Sequence, residues 1–184
     1  LGLVPQAPAA GGIGATKLKG VHTAAPAAAA EKQAIDLLRR GMKLLYGVDL
    51  PAVEDAEGPV IVLGRKAALA AGLITEEDLR KVSIGGYVLK TADGRIAIAG
   101  NTPACTYYGV RGFLQRRGVR LYDGAPVVAT KPADAAIPAL DVHDKPALIF
   151  RTFDSHPHGE WANAAAALKK DVSVKTDQWI DHSA

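Results

Sequence analysis

A chain of 184 residues suits one domain of ordinary size, or one domain with part of another. Hydrophobic residues make up 48% of it, enough for a core and too many for wholesale disorder, and with 5% aromatics that core should be aliphatic. The net charge of +3 is spread over basic residues scattered among acids, which argues against a nucleic-acid surface.

Residues 1–15, "LGLVPQAPAAGGIGA", are rich in Ala, Gly and Pro without periodicity and read as a flexible leader. "TKLKGVHT" is a candidate first strand. Thr23 then stands ahead of "AAPAAAAEKQAIDLLRRGMKLLYG", where Ile35, Leu38, Met42 and Leu45 recur at helical spacing. Gly47 is placed to stop that helix, with Pro51 a little beyond. "GPVIVLGR" is a short apolar run bounded by glycines, as a buried strand would be. In "LITEEDLRKV", Thr75 and Asp78 have the spacing of a capping box, and Glu76, Glu77 and Asp78 read as solvated first-turn charges.

"GYVLKT" and "RIAIAG" flank Ala92, Asp93 and Gly94, a hairpin signal. Tyr87 and Leu89 are read as alternating with polar partners on one strand, as Ile96 and Ile98 do on the other. Asn101 or Thr102 can cap the next helix, and Pro103 fits its first turn. Its apolar stripe is Tyr107, Val110, Phe113 and Leu114; Gly118 ends it and "VRLY" resumes as a strand. A Pro-rich connection follows. After Pro146 come the apolar strand "ALIF", the polar segment "RTFDSHPHGEW" and a helical "ANAAAALKK".

The runs "VIVLGR", "GGYVLKTADGRIAIAGNTPACTYYGVRGFLQRRGVRLY" and "KPALIFR" carry a resemblance. Together, over roughly residues 58 to 151, they resemble the non-catalytic N-terminal domain of alpha-glucuronidases and beta-N-acetylhexosaminidases. The same domain type occurs in large uncharacterised bacterial glycoside-hydrolase-like proteins. Two positions depart from the pattern: Cys105 stands where the family usually has glycine, and Leu121 and Tyr122 follow Arg120 where Trp is common. The resemblance implies an α+β fold, a mixed sheet with helices packed on one face, over residues 16–145. It further implies that residues 146–184 open a TIM barrel, left incomplete because a barrel needs about 250 residues.

The residues themselves offer few sites. Glycoside hydrolysis needs two separated carboxyl groups, and Glu160 and Asp154 come too early in a barrel to supply the pair. Arg151 ends the expected first barrel strand, where the resemblance implies a grip on sugar hydroxyls; an ion pair with Asp154 is the other reading. Trp161 is a candidate sugar-stacking platform or barrel-edge cover, as is Trp179. His156 and His158 form a short H-x-H that could serve a metal-dependent amidohydrolase, though a full site would need further ligands. Cys105, the single cysteine, excludes an intrachain disulfide and reads as core filler. Arg111, Arg116, Arg117 and Arg120 look like a basic patch, with Arg120 a candidate partner for a carboxylate at a domain interface.

The expected role is therefore that of an accessory domain supporting its own catalytic domain, with carbohydrate as the partner and no cofactor implied. A stand-alone carbohydrate-binding module is the alternative. Residues 1–184 alone should be inactive, while the longer protein would be the glycoside hydrolase. No run is apolar enough to span a bilayer, and the start at Leu1 fits a processed or trimmed product. A periplasmic or extracellular address is favoured. A severed barrel strand would expose "ALIF", so residues 147–184 are expected to be partly disordered or held by another copy.

Overall fold

The computed structural model describes residues 12–82, 85–122, 125–128, 130, 132 and 135–146. The expectations placed on the barrel segment, including Arg151, Asp154, His156, His158 and Trp161, lie outside the described residues.

Six strands form the central sheet: β2 (Val21–Thr23), β3 (Ala52–Val53), β4 (Ile61–Leu63), β5 (Tyr87–Ala92), β6 (Arg95–Gly100) and β10 (Asp141–Asp144). Their order is β10-β5-β6-β4-β2-β3. The run β6, β4, β2, β3 is parallel; β5 and β10 join antiparallel, so the sheet is mixed. Two small ribbons accompany it. One pairs β1 (Ile13–Gly14) with β9 (Ala136–Ile137), the other β7 (Val119–Tyr122) with β8 (Ala125–Val128). Ile13 and Ala15 are buried in the main core, so the last residues of the expected leader belong to the fold.

The mixed sheet and the α+β class are as expected, but helices cover both of its faces. The long helices α1 (Ala29–Tyr46) and α4 (Pro103–Arg116) pack against Ile61, Leu63, Leu89, Ile96 and Ile98. The short helices α2 (Arg65–Ala70) and α3 (Glu76–Val82) lie on the opposite face, over Val62, Val88, Ala97 and Ala99. Successive strand residues point to opposite faces, so "RIAIAG" builds an isoleucine floor for one layer and an alanine floor for the other. Alanine is small enough to look neutral in a pattern search, which is why the second face is easy to miss.

Local chemistry explains where the helices begin and end. Thr23 finishes β2 and does not cap α1, which starts after Ala28. There the Glu31 carboxylate folds back to accept the Ala28 N–H at 3.0 Å. Gly47 closes α1 with φ of 69°, its N–H donating to the Lys43 carbonyl at 2.8 Å. The β5–β6 turn is Asp93-Gly94, both at positive φ (51° and 71°), the type I′ geometry that matches strand twist. Helix α4 leaves β6 almost at once: the Thr102 hydroxyl accepts the Cys105 N–H at 3.2 Å, with Pro103 in the first turn.

That tight exit depends on Gly100. A Cβ there would collide with Cys105, backbone included, and with the Thr106 nitrogen. The buried Thr106 hydroxyl accepts the Gly100 N–H at 3.2 Å and seals the junction. Gly100→Ala should therefore lower stability by about 1–3 kcal/mol through overpacking against backbone. Gly47→Ala, where the space is open and only the left-handed φ is at stake, should cost less, about 1 kcal/mol. Urea denaturation of the two variants checks the order.

Candidate functional site

Polar groups converge at the outer edge of the sheet, around β10, the last described strand before Lys145 and Pro146. The register pairs Asp141 with Lys90, Val142 with Leu89, His143 with Val88 and Asp144 with Tyr87. Alternation then sends His143 to the α3 face and Asp144 to the α4 face, so neighbouring residues grip opposite sides of the domain.

On the α3 face the centre is Asp78, only 6% exposed. Its Oδ1 faces His143 Nε2 at 2.9 Å, while Oδ2 accepts from Lys90 Nζ at 3.1 Å. The same Oδ2 takes the Thr75 N–H at 2.9 Å and the Thr75 hydroxyl at 3.0 Å; the hydroxyl in turn accepts the Asp78 N–H at 3.2 Å. The expected capping box is therefore present, but its acid is not a solvated charge. Leu79 and Val82 bury the inner side of α3 and draw Asp78 into the sheet edge with them. Burial alone would raise the carboxyl's pKa, yet hydrogen bonds from His143, the Thr75 backbone, Lys90 and the Thr75 side chain outweigh it. Asp78 is held well below the usual carboxylate range. Asp141 Oδ1 stands 3.6 Å from His143 Nδ1.

On the α4 face, the Tyr87 hydroxyl donates to Asp144 Oδ2 at 2.8 Å, and Arg116 reaches the same oxygen at 3.5 Å. Burial, then the hydrogen bond to Asp144 and its charge, push the Tyr87 phenol up to about 12, with Arg116 opposing. The ring has room because α4 presents Gly109 and Gly112 to it. A Cβ at 112 would overlap the Tyr87 hydroxyl, and one at 109 would crowd its Cβ at 3.2 Å.

The remaining candidates separate cleanly. Glu76 and Glu77 are exposed and pair with Arg65 at 2.9 Å and Arg80 at 2.7 Å. Cys105 is buried, its sulfur accepting from the Thr102 hydroxyl at 3.0 Å, in keeping with core filler. Arg117 does not serve a patch: it donates to the Tyr46 hydroxyl and the Ala136 carbonyl, both at 2.7 Å. Among the described residues Arg120 donates to the carbonyls of Gln115 and Val119, while Arg116 meets a carboxylate, that of Asp144. No group of three or more His, Cys, Asp or Glu among the described residues could hold a metal ion. The pairs Asp78–His143 and Tyr87–Asp144 escaped sequence reasoning. The one available signal was the capping box, whose geometry folds Asp78 back toward its own helix.

What this edge can do chemically is hold a strand. Both Asp78 oxygens are occupied, so the carboxylate is poorly placed to take a proton from a substrate. A carboxylate with a depressed folded pKa stabilises above its unfolded pKa of about 3.9, and that contribution is lost as pH falls toward the folded value. Wild-type chain should thus lose stability to Asp78→Asn at about pH 6 by about 1–3 kcal/mol, and the gap should narrow toward about pH 2. Urea midpoints across that range measure it.

No curated protein matches the chain. Among solved structures it is similar to CpGH84D, with 12% identity and TM-score 0.53, covering 77% of this chain and 22% of that one. It is also similar to the GH20 beta-N-acetylhexosaminidase from Streptomyces coelicolor A3(2), with 16% identity and TM-score 0.51, over 77% of this chain and 25% of that one. A family GH115 4-O-methyl-alpha-glucuronidase, BtGH115A, aligns at 18% identity and TM-score 0.47, over 57% and 14% of the two chains. The chain thus spans a quarter or less of the length of each of these structures. No helix among the described residues is long and apolar enough to cross a membrane. The description "glycosyl hydrolase family 20, domain 2" matches residues 7–145, which takes in both helical layers and the sheet between them, and the chain belongs to that family.

Proposed function

We propose that this domain is a non-catalytic brace for the catalytic domain of a carbohydrate-active glycoside hydrolase, with that domain opening after residue 145. The observation that supports this reading is the saturated edge. The most buried acid among the described residues, Asp78, has both oxygens engaged, one by Thr75 and Lys90 and the other by His143 on β10, the last described strand before residue 146. A side chain used in this way orients a neighbouring element and does no proton transfer of its own.

Arg151, five residues beyond Pro146, would then contribute to one wall of a sugar site. Its guanidinium fork suits hydroxyl groups at fixed angles, Asp154 can orient it, and Trp161 offers an apolar face for a sugar ring. The paired carboxylates that glycoside hydrolysis requires would come from later barrel strands. Family membership supports the accessory role, but activity belongs to a site and has to be argued from one.

Residues 1–184 alone should leave aryl-glycosides unhydrolysed. Hydrolysis by the purified chain, abolished by Arg151→Ala, would overturn the proposal. In the longer protein, deleting residues 7–145 should lower the melting temperature of the catalytic domain. Arg151→Ala should raise KM more than it lowers kcat, as expected for a group that binds substrate and transition state alike.

A further inference from the structure

The four strands between the two sheet edges each bury at least one side chain; β10 buries none completely. Its one apolar residue, Val142, is only partly buried, and so is Leu140 just before it. What holds β10 is the backbone ladder to β5, the Leu140 N–H bonded to the Thr91 hydroxyl at 3.1 Å, the partial packing of Leu140 and Val142 on the main core, and the polar grips of His143 and Asp144.

We propose that β10 is a detachable latch: it leaves the sheet as a unit while the rest of the domain stays folded. Its attachment is set jointly by Asp78 on one face and by Tyr87 with Arg116 on the other. The elements that supply the grips do not need β10 for their own packing. Leu79 and Val82 seat α3, and Val110, Phe113 and Leu114 seat α4. β5 remains bonded along its whole length to β6.

Detachment strands no buried charge. Asp78 keeps Lys90 and both Thr75 donors after His143 leaves, and the Tyr87 ring keeps its slot against Gly109 and Gly112 while its hydroxyl turns to water. His143 and Asp144 pass from partial exposure to full hydration, and Asp141 is exposed already. A segment with few buried apolar contacts and replaceable polar ones belongs to the low-stability end of a domain's local openings. Glycine also shapes the seat: a Cβ at Gly86 would strike the Asp144 and Val82 carbonyls, so the end of the latch lies directly against the end of α3. The proposal stands whether or not the domain braces a barrel, because it concerns only how this strand is held.

The test is hydrogen exchange followed by mass spectrometry on the full 184-residue chain. Amides of residues 141–144 should exchange faster than those of β4 and β6. Tyr87→Phe, which keeps the ring in its slot, should speed exchange in 141–144 roughly tenfold and leave β4 and β6 unchanged. Asp78→Asn should do the same from the other face, and the double variant should combine the two effects multiplicatively. Equal exchange of β10, β4 and β6 in the unaltered chain would overturn the latch. So would Tyr87→Phe accelerating all three strands alike, or none; if Asp78→Asn fails to fold, Tyr87→Phe alone decides.

Discussion

The alternation of isoleucine and alanine along β6 is the constraint on which this domain turns. Ile96 and Ile98 meet α1 and α4, while Ala97 and Ala99, pointing the other way, let α2 and α3 approach the sheet. β6 is flanked by β4 on one side and β5 on the other, so its two faces set the separation of both helical layers. A larger residue at 97 or 99 would press on the α2–α3 layer, in which α2 lies over β6 and α3 over β5.

Close approach recurs wherever the long helices meet their neighbours. Gly41 brings α1 onto Leu114, Gly100 lets α4 start against the end of β6, and Gly112 admits the Tyr87 ring. In each case a missing Cβ trades helix or strand propensity for shorter distance between elements. The gain at Gly112 is specific: it lets a strand tyrosine pass under a helix and reach a carboxylate on the next strand. Arg117, donating to Tyr46 and the Ala136 carbonyl, ties the ends of α1 and α4 to the β9 ribbon in a similar way.

These features give physical content to the idea of an accessory domain. Its buried acid, Asp78, is engaged by neighbouring side chains near the edge strand, and the buried Thr106 hydroxyl by the Gly100 N–H at the start of α4. Cys105 is packed against Gly100, Glu76 and Glu77 are ion-paired on the surface, and Asp78 is saturated.

The sequence by itself determined the features that depend on residues close along the chain. The stop at Gly47, the Asp93-Gly94 turn, the Thr75–Asp78 capping box and the Thr102-Pro103 helix start are each decided within a few residues, where backbone sterics and local hydrogen bonds suffice. The stripe Tyr107, Val110, Phe113 and Leu114 was legible for the same reason, because helical periodicity is a local property. Only the tertiary structure decided that the sheet has two covered faces, since alanines carry too weak a signal to announce burial. Only it placed Asp78 inside. Its contact with His143 spans 65 residues, just as the Tyr87 bond to Asp144 spans 57. Charge, exposure and pKa at such positions are set by neighbours that no window of sequence contains.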